Sequence, residues 1–252
     1  MNITIDGKQC EASYGEYILE VARRNGIEIP TLCHSDALPG LGSCRLCIVE
    51  VIERGRSKVV TSCIFPITRE VEVLTKSEKI INMRKTIIML LSLRAPENEY
   101  MQKLREEYDI PDKEIERFNV DRSEECILCG LCAKACEAMG TNAISTVNRG
   151  ISKKVSTPFD EPSKECIGCA ACANICPTGA IKVCDSHGQR TIWNKTFKLI
   201  KCEKCGHYFA TQEQIDYINA KLDTETSEIL CEKCKRVQIA ENLKDVFENI
   251  PE

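Results

Sequence analysis

The chain has 252 residues, with 34 basic and 38 acidic side chains, and its formal net charge of −4 argues against nucleic acid as the main partner. Its length allows two or three small domains. Hydrophobic residues at 43% and charged residues at 29% are ordinary for a protein in water, and the longest apolar stretch, 86–93, is too short to span a bilayer.

Eighteen cysteines are not ordinary. A secreted disulfide scaffold would be short and begin with a signal peptide. This sequence opens MNITIDGKQC, with neither a basic nor an apolar leader region. Most of its cysteines lie two or three residues apart, too close to pair comfortably with one another. Metal-bound thiolates in a reducing cytoplasm are the better expectation.

Residues 1–76 read as a small mixed domain. Segments 2–6 and 9–13 flank Asp6-Gly7-Lys8, a hairpin signal. Residues 16–25 place Ile18, Leu19 and Ala22 at helical spacing before Gly26. Segments 47–53 and 58–62 form a second strand pair across Arg54-Gly55-Arg56, and 69–75 alternates with Val71 and Val73 inward. Two strands, a helix and further strands follow the β-grasp order. Residues 77–93 predict a helix with Ile80, Ile81, Ile87, Ile88 and Leu91 as its stripe, and 97–108 a second, charged helix. Pro111-Asp112 opens a polar linker to 123, which completes a helical connection over 77–123. Residues 124–185 hold an internal repeat, CILCGLCAKACEAMGTNAI against CIGCAACANICPTGAI. The tail, 190–252, has two more cysteine pairs around a polar, partly helical insert.

Four blocks of cysteines carry the chemistry. Cys33, Cys44, Cys47 and Cys63 follow C-x10-C-x2-C-x15-C. Four thiolates, two per iron, are what a 2Fe–2S core needs. Gly40 and Gly42 let the loop fold tightly and turn N–H groups toward sulfur. His34 is expected to hydrogen-bond or face solvent, because a Rieske centre needs two histidines. Cys126, Cys129, Cys132 and Cys136 give C-x2-C-x2-C-x3-C, repeated by Cys166, Cys169, Cys172 and Cys176. In this run three thiolates wrap one 4Fe–4S cube and the fourth crosses to the other. One cube is therefore assigned Cys126, Cys129, Cys132 and Cys176, and the other Cys166, Cys169, Cys172 and Cys136. Gly130, Ala133, Gly168, Ala170 and Ala171 allow backbone approach to sulfur. Ala143-Ile144 and Ala180-Ile181 should pack against the cubes. Cys202, Cys205, Cys231 and Cys234 form C-x2-C-x25-C-x2-C, the spacing of two knuckles from separated hairpins around one zinc ion, a zinc-ribbon arrangement. A rubredoxin-like iron or a further cluster also satisfies that spacing. Cys10 and Cys184 lie outside every motif and are expected to be buried structural thiols.

The ten-residue gap after Cys33 and the GSCRLCIVEV segment resemble the N-terminal region of the complex I large iron–sulfur subunit. They resemble equally the small diaphorase subunit of NAD-linked and electron-bifurcating hydrogenases, formate dehydrogenases and transhydrogenases. The resemblance covers roughly residues 1–185. It implies an α+β multidomain chain: a β-grasp 2Fe–2S domain, a helical linker and a two-cluster ferredoxin domain, with the zinc-ribbon-like tail added. It also implies an electron-transfer subunit of a soluble NAD(P)-linked oxidoreductase complex. Its partners would be a flavoprotein NAD(P)H-binding subunit and a second redox subunit or ferredoxin. Glu137, where the second run has Pro177, departs from the simple ferredoxin pattern but occurs in those relatives. The His-ligated cluster of complex I should be missing, because the interval LSLRAPENEYMQKLREEYDIP has neither cysteine nor histidine. The sequence has no G-x-G-x-x-G after a strand and no P-loop, so no NAD site of its own is expected. A free-standing multicluster carrier is the competing reading. A succinate-dehydrogenase-like subunit fits less well, its first loop being normally short.

Overall fold

The structure, a computed structural model, describes residues 1–117, 121–223 and 228–248, with side chains to 243. The part of the polar linker at 118–120, part of the insert in the tail, and the last four residues lie outside the described residues. The first unit contains β1 (Asn2–Ile5), β2 (Lys8–Glu11), α1 (Ile18–Arg24), β3 (Ile48–Glu53), β4 (Arg56–Thr61) and β5 (Glu72–Leu74). Its sheet runs β2-β1-β5-β3-β4, with β1 and β5 parallel and the other neighbours antiparallel. The two expected hairpins turn at Asp6-Gly7 and Arg54-Gly55, where all four residues have positive φ as tight turns demand. Alternation carries Ile3, Ile5, Val49, Val51 and Val73 into one core beneath α1, which adds Ile18, Leu19, Val21 and Ala22. The Tyr17 N–H at the start of α1 donates to Glu20 at 3.0 Å.

Helix α2 (Glu78–Ser92) packs against β3 of this sheet and α3 (Glu99–Glu107) packs on α2, followed by the single turn α4 (Lys113–Glu116). Ser77 and Asn98 cap them by accepting N–H bonds from the first turns. The buried face of α2 is not purely apolar as expected. Ile80 and Ile88 are buried, and Arg84 lies between them on the same face, 1% exposed. Leu32, Cys33, Cys44, Leu46, Ile88, Met101, Leu104, Ile127, Cys129 and Leu131 form one buried cluster. The helices therefore join the Cys33–Cys47 loop to the first run of the repeat.

The repeat supplies α5 (Leu131–Ala138), the hairpin β6 (Ser145–Val147) and β7 (Lys154–Ser156), and α6 (Ala171–Asn174). Next come β8 (Cys184–Ser186), β9 (Gln189–Ile192), β10 (Lys195–Lys201) and β11 (Tyr208–Thr211), an antiparallel meander in the order β11-β10-β9-β8. Helices α7 (Gln212–Leu222) and α8 (Glu232–Glu248) end the described chain. The meander does not stand apart. Ile192 and Phe197 share a core with Ala143, Ile144, Cys132, Cys166 and Cys172, so β9 and β10 brace the repeat. No helix among the described residues is long and apolar enough to cross a membrane.

Candidate metal-cluster sites

No two of the eighteen cysteines are joined by a disulfide. The four sulfurs of the first block converge under the loop between α1 and β3. Cys47 Sγ lies 3.4 Å from Cys63 Sγ, and the Cys44 N–H donates to Cys33 Sγ at 3.2 Å. The sulfurs thus stand as two pairs, Cys33 with Cys44 and Cys47 with Cys63. Within each pair the bond between the two thiols holds one down (Cys44, Cys47) and, with burial, pushes its partner up (Cys33, Cys63), against the lowering effect of the Cys44 N–H on Cys33. Two pairs of buried thiols suit a site with two metal ions, each taking one pair. Both glycines of the loop lie against the Cys63 region. The Gly42 N–H works to lower the Cys63 thiol, and a Cβ on Gly40 would fall 2.5 Å from the Cys63 carbonyl oxygen. His34 Nε2 pairs with Asp36 at 3.1 Å.

Arg84 was not legible as a site residue. Its Nε donates to the Leu46 carbonyl at 3.1 Å and its Nη2 to the Ile48 carbonyl at 2.6 Å. Those two residues bracket Cys47, so a buried guanidinium fixes the segment that presents this sulfur. Burial lowers its pKa, and nearby Tyr108 and Cys47 offset part of that. An arginine three or four residues from isoleucines reads in sequence as the solvated edge of a helix. Only the packing shows it pointing inward.

The repeat forms two separate cavities. One, of about 300 Å³, is lined by Cys126, Cys129, Cys132 and Cys176, with Ala180 and Ile181 in its wall. The other, about 20 Å³, is lined by Cys136, Cys166, Cys169 and Cys172, with Ala143 and Ile144. The fourth cysteine of each run stands in the cavity of the other run, and the alanine–isoleucine pairs cross in the same way. Backbone N–H groups point at sulfur in both: Leu128 to Cys126 at 3.4 Å and Ala143 to Cys136 at 3.2 Å. The chain reaches these positions through left-handed backbone at Gly130 and at Gly168 and Ala170. Burial pushes the Cys129 and Cys172 thiols up to about 11 and that of Cys132 up to about 12, with neighbouring sulfurs adding to the rise. Each cavity thus joins two buried thiols, whose ionisation burial and neighbouring sulfurs oppose, to two half-buried ones, a donor set that a multivalent cation would relieve.

Three contacts on the second cavity come from the meander and were not anticipated. The Trp193 indole Nε1 donates to Cys172 Sγ at 3.5 Å. The Lys195 ammonium donates to the Cys166 carbonyl at 2.7 Å, and Arg190 Nη1 to the Gly168 carbonyl at 3.1 Å.

The third block brings Cys202, Cys205, Cys231 and Cys234 together with every sulfur within 4.8 Å of the others. The expected pair of hairpins is not what holds them. Cys202 and Cys205 sit in the β10–β11 hairpin, whereas Cys231 and Cys234 lie at the start of α8. The reason is local: EKCKRVQIAENL after Cys231 has neither turn residues nor strand alternation and continues as helix. The Cys231 backbone N–H and others hold the Cys202 thiol down, while burial and three neighbouring sulfurs push Cys234 up. A closed, all-sulfur set at this spacing fits one tetrahedral ion. His207 contributes only its backbone carbonyl, to Cys202. Of the two cysteines outside the motifs, Cys10 is buried as expected, but Cys184 is exposed. Its strand β8 is the sheet edge, and all three of its residues face solvent.

These sites define an iron–sulfur cluster protein. Residues 1–78 match the family described as 2Fe-2S iron-sulfur cluster binding domain, and residues 119–183 the 4Fe-4S dicluster domain. Among curated proteins, the chain is 32% identical over 211 residues to the NADP-reducing hydrogenase subunit HndD of Solidesulfovibrio fructosivorans, covering 72% of this chain and 36% of the relative. It is 30% identical over 258 residues to the NADPH-Fe(3+) oxidoreductase subunit alpha of Geobacter sulfurreducens, covering 90% of this chain and 29% of the relative. The NADH-ubiquinone oxidoreductase 75 kDa subunit of Reclinomonas americana is 27% identical over 203 residues, 72% of this chain and 29% of that one. The chain thus spans about a third of the length of these relatives. A crystal structure of NAD+-reducing [NiFe]-hydrogenase in the H2-reduced state contains a similar chain, with TM-score 0.60 and 27% identity over 71% of this chain and 85% of that one. The Geobacter match covers nine tenths of the chain, so that similarity continues into the C-terminal cysteine region.

Proposed function

We propose that this chain is the electron-transfer subunit of an NAD(P)-linked flavoprotein oxidoreductase complex of the hydrogenase, formate dehydrogenase or transhydrogenase type. In this reading Cys33, Cys44, Cys47 and Cys63, on a β-grasp domain of about residues 1–76, hold one 2Fe–2S cluster. A ferredoxin unit of about residues 124–185 holds two 4Fe–4S clusters, one on Cys126, Cys129, Cys132 and Cys176, the other on Cys166, Cys169, Cys172 and Cys136. Cys202, Cys205, Cys231 and Cys234 hold a zinc ion, which is redox-silent and structural. The observation that carries the reading is the crossing of Cys136 and Cys176 between the two cavities.

Bound clusters supply one-electron transfer at low potential, about −400 mV for the plant-type 2Fe–2S centre. The residues of the chain hold, order and shield them. Cys44 and Cys129 lie close enough to act on each other's charge, as do Cys132 and Cys172. The three sites therefore follow one another: first block, first cavity, second cavity. The flavoprotein partner would dock at the 2Fe–2S end, and a second redox subunit or ferredoxin would exchange electrons with the cubane end. The names of the relatives support this reading over a free-standing carrier. So does the helical pair α2–α3, which a soluble shuttle does not need.

Iron and zinc analysis with EPR on anaerobically purified protein tests it. About ten irons and about one zinc per chain are expected. About fourteen irons without zinc would place a cubane in the tail instead. Cys136→Ser should damage the cluster held by the Cys166 run and spare that of its own run; the reverse result would refute the crossed ligation.

A further inference from the structure

The turn between β9 and β10 is a two-residue hairpin loop. Ile192 pairs with Lys195, and both residues between them, Trp193 and Asn194, have positive φ, 51° and 58°. Such turns favour asparagine and glycine at these positions. Asn194 fits that preference. Trp193 does not: a bulky side chain in left-handed backbone is sterically costly and persists where its surroundings hold it there. What its position secures is visible in its contacts. The indole lies in the walls of both cysteine cavities of the repeat. Its only N–H points at one sulfur, Cys172 Sγ, at 3.5 Å.

The rest of the hairpin keeps that geometry in register. Lys195 ties the turn to the carbonyls of Cys166 and Ser163, at 2.7 and 3.1 Å. Phe197 packs so close to Gly168 that a Cβ there would sit 2.8 Å from its ring. The meander is thus clamped on the second cysteine loop, and the indole N–H is delivered to a cluster ligand from outside the repeat.

We propose that Trp193 is a positioning residue that sets the potential of the cluster in the second cavity by donating its indole N–H to the Cys172 sulfur. This rests on the assignment of a 4Fe–4S cluster to that cavity. A hydrogen bond to a ligating thiolate draws electron density from the cluster and favours its more negative, reduced state, which raises the potential. The first cavity receives no indole donor: Thr178 Oγ1 lies 3.6 Å from Cys176 Sγ there, but Thr141 Oγ1 matches it at 3.2 Å from Cys136 Sγ in the second, which leaves Trp193 as the difference. The hairpin therefore separates the potentials of two sites whose cysteine runs are nearly identical.

The test is an EPR-monitored redox titration of the whole chain. Trp193→Phe keeps an aromatic ring and removes the N–H. At fixed ambient potential the reduced-to-oxidised ratio of one cubane should fall about tenfold, or about 59 mV for a one-electron couple, with the other cubane and the 2Fe–2S signal unmoved. The chain contains a single tryptophan, so growth on 5-fluorotryptophan alters this indole alone. Its electron-poor ring makes a stronger N–H donor, and the same midpoint should rise. An iron-replete Trp193→Phe protein with unchanged midpoints, or equal shifts in both cubanes, overturns the proposal. Should Trp193→Phe lose the cluster, the fluorinated protein decides, and unchanged midpoints there overturn it equally. Absence of any cubane signal from the unmodified protein would instead sink the cluster assignment beneath it.

Discussion

Replacing Arg84 with methionine keeps a long, flexible stem in the core and removes the two donors that hold Leu46 and Ile48. Both bonds are short and buried, at 3.1 and 2.6 Å, and the side chain is 1% exposed. A hydrogen bond from a charged donor contributes about 1.5–3 kcal/mol. The lower figure applies here, because burial of the guanidinium opposes it. Two such bonds give about 3 kcal/mol toward keeping the Cys44–Cys47 segment closed. At ~1.4 kcal/mol per tenfold, the open form of this segment should become about a hundredfold more populated. Chelator attack needs that opening, so the 2Fe–2S EPR signal should decay about a hundredfold faster in Arg84→Met while the cubane signals decay as before. Arg84→Lys, a charge without the fork, should fall between. A change of less than about threefold, or an equal acceleration at all clusters, would refute the argument that Arg84 acts on this loop.

Two further outcomes follow from the same geometry. Gly40→Ala should abolish the 2Fe–2S signal and leave the cubanes, because the new Cβ would meet the Cys63 carbonyl oxygen at 2.5 Å, and that backbone carries a ligand. Gly55→Ala, with nothing within 4 Å, should retain the signal, its positive φ costing about 1 kcal/mol; loss of the cluster in both variants would remove the steric explanation. For cluster-free protein, the sign follows from the raised thiols of Cys129, Cys132 and Cys172. A thiol whose folded pKa is raised adds stability below its unfolded value, ~8.5, and loses it as pH climbs toward the folded value, here about 11 to about 12. Thermal melts of cluster-free protein should therefore weaken from pH ~8.5 upward, and Cys132→Ser should flatten that slope; an unchanged slope would show that other groups cause it.

How far the candidate sites could be read in advance depended on how local each signal was. The cysteine runs announce themselves, because several ligands of one cluster must come from a single turn of chain. The hairpins at Gly7 and Gly55 were equally plain, since positive φ at a tight turn restricts which residues can occupy it. Arg84, Trp193, Lys195 and Arg190 gave no such signal. Each is an ordinary helix or hairpin residue by spacing, and its role comes from a partner 22 to 38 positions away, or 21 in the case of Trp193 and Cys172. The tail shows the same limit, since the C-x2-C spacing is compatible with a hairpin or a helix start and does not choose between them.

By itself, then, the sequence determined the sulfur donors, their grouping into blocks, the strands and helices that carry them, and the likeness to iron–sulfur subunits. It did so because ligand spacing and hydrophobic period are properties of short segments. Tertiary structure alone decided that α2 sends a guanidinium beneath Cys47, that α8 and not a second hairpin completes the last sulfur site, and that Cys184 faces solvent. It also decided that the meander closes over the second cavity with Trp193 against Cys172. Those outcomes are contacts between distant segments, and their energies exist only once the chain has closed the loops between them.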